Sequence, residues 1–234
     1  MDCSIFSGRD PEYADIVSGL LDEVENEEGP TIGREERGIA VLSALIGCQG
    51  VSAFEAVLRS ELRGGLSPVV VRETVYQSTA YVGIGRAMPF VEAMDRVMSE
   101  EGIPLPLPSG RTVSRDERVS AGEAVQVSAF GEMMRGAWRT GHVNRWLAGN
   151  CFGDYYTREG LTLAQRELVT FCLLMAQGGC EPQLEAHTRG NMNVGNDADF
   201  LRRVVSQCLP YIGYPRSLNA LAAIARVESA DNKG

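Results

Sequence analysis

The chain has 234 residues, 44% of them hydrophobic and 23% charged, which suits a globular protein with a sizeable core, in one large domain or two small ones. A formal net charge of −9 argues against the basic stripe that a nucleic-acid surface requires. The opening MDCSIFSGRD has no basic segment leading into an apolar core, and no apolar run approaches the roughly 18 residues that span a membrane. No nucleic-acid partner, no membrane and a cytoplasmic location are therefore expected. The cysteines at 3, 48, 151, 172, 180 and 208 are then expected to be reduced, and their spacing holds neither a CxxC nor a zinc pattern.

Residues 1–30 are acidic and end in DEVENEEGP, which predicts a helical extension over about 10–27 closed by Gly29 and Pro30. In REERGIAVLSALIGC, residues 34–48, apolar positions 39, 42, 45 and 46 have the spacing of a buried helical face. A second helix covers 52–63; Gly64 and Gly65 end it, Ser67 can cap the next, and Pro68 fits that helix's first turn. VVVRETVYQSTAYVG looks strand-like from its β-branched residues, but positions 71, 75, 78 and 82 keep helical spacing and predict a helix. Another follows over about 86–100. The alternate prolines of EEGIPLPLPSG exclude a helix interior and predict an extended linker. Helices are predicted over 115–136 and 138–150, then a loop in CFGDYYTREGLT, then helices over about 162–177, 182–193, 197–208 and 216–228. Strand signals are few, so the fold is predicted to be all-α, an antiparallel helix bundle.

The halves are related. Shifted back by 130 positions, Glu185 falls on Glu55, Arg189 on Arg59, Gly195 on Gly65 and Arg202 on Arg72. Further on, Gln207 falls on Gln77, Tyr211 on Tyr81, Gly213 on Gly83, Arg216 on Arg86 and Arg226 on Arg96. The clearest pair is QSTAYVGIGRA with QCLPYIGYPRS. An internal repeat follows, with an N-terminal extension at 1–30, a first copy at 31–100, a linker with connecting helices at 101–149, a second copy at 150–228 and a tail at 229–234.

The stretch GGCEPQLEAH, residues 178–187, concentrates reactive side chains. Gly178 and Gly179 break the preceding helix, and Pro182 suits the first helical position, which puts Glu181 at the N-cap and Cys180 just outside. There the helix dipole is expected to lower the thiol pKa. Gln183 and His187, four apart, share a face, whereas Glu181 and Glu185 read as a solvated one. His142 lies four residues from both Trp138 and Trp146, the spacing of a packed helix face. No third ligand accompanies His187 at a metal-binding spacing, so no metal site is expected.

The second copy resembles the carboxymuconolactone decarboxylase and alkylhydroperoxidase-D superfamily, through the REGLTLAQREL entry, LEAHTRGNMNVG and QCLPYIGYPRSLNAL. The first copy resembles the same domain more weakly, through GREERGIAVLSALIG, ELRGGLSP and YQSTAYVGIGRAMPF. The resemblance implies two fused helical repeats and assembly into trimers or hexamers. Three chains with two copies each complete a ring of six, so a homo-trimer is expected. Cys180 and His187 match the first cysteine and the histidine of the peroxidase branch, but Gln183 stands where its second sulfur belongs, and a thiol cycle needs that sulfur. The decarboxylase branch keeps the histidine and usually has a Glu at the position of Gln183.

The resemblance thus implies a cofactor-independent enzyme acting by acid–base chemistry on a small lactone or carboxylated molecule. His187 would move the proton and Glu167, the relay carboxylate of REL, would orient it; Cys180 completes the catalytic set. Gln183, Tyr155 and Tyr156 are the candidate pocket residues. The alternatives are a thiol-dependent antioxidant protein using Cys180 and a non-catalytic helical assembly or ligand-binding protein. Positions 57, 53 and 37, equivalent to His187, Gln183 and Glu167, hold Val57, Ala53 and Arg37, so only the second copy is expected to carry a working site.

Overall fold

The computed structural model describes residues 10–28 and 31–231, and every regular element among them is helical. Cys3, the Gly29–Pro30 stop and the last three residues of the tail lie outside the described residues. The helices are α1 (Pro11–Glu28), α2 (Arg34–Gly47), α3 (Val51–Arg63), α4 (Pro68–Val82), α5 (Ile84–Glu100) and α6 (Arg118–Phe130). Short 3₁₀ turns at Glu132–Met134 and Ala137–Thr140 lead into α7 (His142–Trp146) and a π-helix (Leu147–Tyr156). The chain ends in α8 (Leu163–Gln177), α9 (Glu181–Asn193), α10 (Ala198–Ile212) and α11 (Tyr214–Asp231). No described helix is long and apolar enough to cross a membrane.

α2 and α8 are the core pair. Residues Gly38–Gly47 and Arg166–Ala176 are all buried, because each helix is apolar around nearly its whole circumference. The two pack on each other, and one continuous apolar cluster joins them to α3, α4, α5, α10 and α11. α8 starts with a capping box in which Gln165 N–H donates to Thr162 Oγ1 and Thr162 N–H donates to Gln165 Oε1. Ser67 does sit at the N-cap of α4 with Pro68 behind it, but its side chain makes no capping bond. The β-branched run is helical because burial of Val70, Val71 and Val75 outweighs local strand preference.

The stretch read as a loop, CFGDYYTREGLT, is helical through Tyr156. Its apolar residues Cys151, Phe152 and Tyr156 are buried against α4 and α6. Packing here depends on two glycines. A Cβ at Gly122 of α6 would lie 1.8 Å from the Ala148 carbonyl oxygen, and one at Gly153 would lie 2.1 Å from that of Arg118. The helix predicted over 115–136 stops at Phe130, where Gly131 takes φ 92. His142 is exposed and stacked on exposed Trp146 at 6.0 Å, rather than packed in a buried face.

The proline linker is extended and tied down: Arg72 donates to the Pro108 carbonyl, and Glu159 N–H donates to that of Gly110 at 2.9 Å. Beneath it lies a buried ionic cluster. Glu73 accepts from Arg72 Nε at 2.9 Å, from Arg158 Nε at 2.8 Å and from Arg166 Nη2 at 3.1 Å. Burial alone would raise the Glu73 carboxyl, but the Arg158 hydrogen bonds and the Arg166 charge outweigh it and hold the group below its ordinary 4.5. The ionised cluster therefore stabilises the fold fully above about pH 4.5 and loses that contribution as pH falls through the lower folded value. Glu73→Gln leaves three guanidiniums around a neutral amide and should cost about 3–5 kcal/mol near pH 7. Urea unfolding at neutral and acid pH checks both the loss and its shrinkage in acid.

Candidate active site

α8 and α9 bring Glu167 and His187 together. His187 Nδ1 lies 2.8 Å from Glu167 Oε2; the carboxylate is fully buried and the imidazole 12% exposed. With Glu167 as acceptor, Nδ1 carries the proton and Nε2 is left with its lone pair. The other carboxylate oxygen, Oε1, accepts from the Tyr156 hydroxyl at 2.8 Å. Asn191 Nδ2 donates to the backbone carbonyls of Glu167 and His187 at 2.9 and 2.7 Å, locking the two helices in register. Gly190 makes this approach feasible: a Cβ there would lie 2.6 Å from Glu167 Oε2 and 2.7 Å from the Phe130 ring.

A chain of donors converges on the carboxylate. The Cys151 thiol lies 3.4 Å from the Tyr81 hydroxyl, which is 3.0 Å from that of Tyr156. Burial pushes the Cys151 thiol up to about 12, so it stays a donor. Burial, with the neighbouring Glu167, likewise holds the Tyr81 and Tyr156 hydroxyls well above their ordinary 10. The imidazole is wedged edge-on between two rings, Tyr81 at 5.7 Å and Phe130 at 5.2 Å.

His187 lies on the wall of a cavity of about 860 Å³. Phe130 of α6, Met133, Met134, Phe152 of the π-helix and Leu174 of α8 make most of its wall apolar, and Tyr81 at the end of α4 adds a residue from the first half. Gln183, one turn before His187, and Cys180 line the same cavity. Tyr156 lies behind the wall as a hydrogen-bond donor to Glu167 and does not line the cavity. Tyr155 turns to Thr79 and is absent from the cavity as well. Sequence reasoning missed Tyr81, Phe130 and Cys151 as site residues; for Tyr81, its place among the residues shared between the halves was an available signal.

Cys180 is itself the N-cap of α9, so the helix opens one residue earlier than expected, with Glu181 first and Pro182 following. Its thiol is raised rather than lowered. Burial dominates, and the favourable Gln177 contact does not offset it. The sulfur donates to the Leu174 carbonyl at 3.4 Å and receives Gln177 Nε2 at 3.8 Å. The dipole expectation fails because the thiol is turned into protein and away from the exposed N–H groups. Glu185 is on the exposed face as expected, paired with Arg226 at 2.6 Å.

Residues 142–226 match the model of the Carboxymuconolactone decarboxylase family. The match begins at α7, ahead of the expected boundary at 150, and spans the π-helix that supplies Cys151, Phe152 and Tyr156. Among curated proteins, the 4-carboxymuconolactone decarboxylase of Acinetobacter baylyi is 28% identical over 120 residues, which is 45% of this chain and 83% of the relative.

A raised thiol has little thiolate near neutral pH. Cys180 should accordingly react with iodoacetamide at about pH 7 more slowly than an unperturbed cysteine peptide. A time course followed by peptide mass spectrometry checks this, and faster labelling would contradict the burial argument.

Proposed function

We propose that the chain is a decarboxylase-like enzyme of cofactor-independent acid–base type, acting on a lactone or other carboxylated small molecule. The observation that carries this reading is the His187–Glu167 pair beside a mainly apolar cavity, with Nδ1 engaged and Nε2 available. Loss of carbon dioxide breaks a C–C bond and leaves its electron pair on the ring carbon, delocalised into the conjugated carbonyl. His187 takes up a proton at Nε2 from solvent, with Glu167 stabilising the imidazolium so formed, and gives it to that carbon, returning to the neutral form. The water-poor walls around Phe130 and Phe152 strengthen the charge interactions in this step. Gln183 is a neutral donor and acceptor for a substrate carbonyl. The name of the A. baylyi relative agrees with this chemistry.

The antioxidant reading has less support, because both cavity cysteines, Cys151 and Cys180, have raised thiols. A non-catalytic role for the first half fits its Val57 and Arg37. We further propose that the halves are fused copies of one domain. The bounds of α3 and α9, Val51–Arg63 and Glu181–Asn193, differ by 130 at both ends, and the Arg96–Glu55 and Arg226–Glu185 ion pairs occupy shifted positions.

His187→Asn keeps polarity but removes the titratable ring. It should lower turnover by roughly 10²–10⁴-fold with little change in unfolding temperature. Carbon dioxide release is the readout, with 4-carboxymuconolactone as first probe and larger carboxylated lactones next. Turnover of any of these at the wild-type rate by His187→Asn overturns the assignment.

The homo-trimer is a proposal of the same kind. Ile84 and Met88 at the start of α5 are 63% and 42% exposed, and Tyr214 and Leu218, their equivalents at the 130-residue shift on α11, are 58% and 60% exposed. Paired apolar patches of this kind suit an assembly that repeats one interface. Light scattering should return three chain masses at micromolar concentration, and a monomer mass would reject it.

A further inference from the structure

A second cavity, of about 400 Å³, lies between three helices of the first half and one of the second, and shares no residue with the one around His187. It is enclosed by α1, α2, α3 and α10. Five of its residues, Leu21, Asp22, Val57, Pro210 and Tyr211, stand at positions that line the first cavity, shifted by 130. Arg37 replaces Glu167, Val57 replaces His187, and Tyr211 corresponds to Tyr81. The correspondence extends to the cover: Leu21 and Asp22 of α1 fall on Cys151 and Phe152 of the π-helix.

The chemistry of the lining is changed. Where Phe152 gives an apolar wall, Asp22 gives a carboxylate. Glu25 of α1 pairs with Arg37, closing α1 over α2. Glu61 of α3 adds a third carboxylate to the lining. Three carboxylates, Asp22, Glu25 and Glu61, thus face one guanidinium, Arg37, an excess of two negative charges.

Two polar atoms in this lining are buried without a hydrogen-bond partner, Glu61 Oε2 and Gln207 Nε2. Gln207 is only 4% exposed, so water outside the protein does not satisfy it. Its equivalent, Gln77, donates to the Arg166 carbonyl at 2.7 Å and to Thr170 Oγ1 at 3.0 Å. At the shifted position Thr170 is Ala40, which has no hydroxyl to offer. Buried polar groups are almost always paired, so an orphaned acceptor and an orphaned donor in one cavity point to something that supplies both complements.

We propose that this cavity binds a small primary ammonium compound that also carries a hydroxyl or carbonyl oxygen. The ammonium donates to Glu61 Oε2 within the carboxylate excess. The ligand oxygen accepts from Gln207 Nε2. The site is separate from the His187 chemistry and does not depend on it.

Calorimetric titration of the full chain with 4-amino-1-butanol tests this. Saturable binding is expected, at least roughly tenfold tighter than that of n-butylammonium, which lacks the oxygen, or of butanoate, which has the wrong charge. Glu61→Gln, of the same shape, should weaken it by about tenfold or more, as should Gln207→Leu. His187→Asn should leave it unchanged. A flat titration of the folded wild type up to about 10 mM means that water alone fills the cavity and overturns the proposal. Equal binding of butanoate, or undiminished binding by folded Glu61→Gln, overturns it as well.

Discussion

The site rests on one buried carboxylate. Glu167 has no exposure, and an ionised carboxyl in such a place is costly unless its oxygens are occupied. They are: Tyr156 takes one and His187 the other. This requirement reaches outward through the fold. It demands that α9 come close enough for His187 to touch, which Gly190 permits. It demands that residue 156 point into the core, which the π-helix achieves. A π-helix is wider than an α-helix and is found mostly at functional sites, because it turns a side chain out of the usual register. The imidazole is then oriented by packing as much as by its hydrogen bond, with Tyr81 and Phe130 closing on its two sides.

The two buried acids among the described residues are handled in opposite ways. Glu73 is surrounded by guanidiniums, lines neither the His187 cavity nor the second one, and holds α4, α8 and the segment around Arg158 together. Glu167 receives no cationic side chain other than His187 among the described residues, and its second partner is a neutral phenol. A carboxylate fixed by arginines is already neutralised. One fixed by a phenol and an imidazole keeps its charge available to stabilise an imidazolium beside it. That difference in partners separates a structural acid from a candidate catalytic one.

The framework was largely legible in the sequence. Helical periodicity identified α2 and α4, and glycines with Pro68 marked the turns, because apolar spacing and backbone restrictions are local properties. The pairing of Glu167 with His187 was reached through the family resemblance; spacing alone does not tell which helices cross. What failed was non-local. CFGDYYTREGLT carries Gly and Asp and reads as a loop, yet burial of Phe152 and Tyr156 against α4 and α6 outweighs its weak local helix preference. The thiol of Cys180 was placed correctly along the chain and wrongly in its environment, since the direction of its side chain decides between the dipole and desolvation. Tyr81 lies 106 residues before His187, and nothing in its own neighbourhood announces a site.

On the proposed repeat, corresponding positions carry two chemistries within one chain. In the second half the cover is the π-helix with its aromatic residues, and the polar groups beneath it are spent on one another in an ordered chain ending at His187. In the first half the cover is α1, an acidic helix, and replacing Thr170 by Ala40 and His187 by Val57 removes the partners that would complete such a chain. Both cavities border the main core, which lends Val41 and Val57 to one wall and Leu174 to the other. Buried polar groups specify chemistry where they are mutually satisfied and specify a missing partner where they are not. The contrast between Gln77, with two acceptors in reach, and Gln207, with an unpaired Nε2, is that rule applied twice to one residue type in one fold.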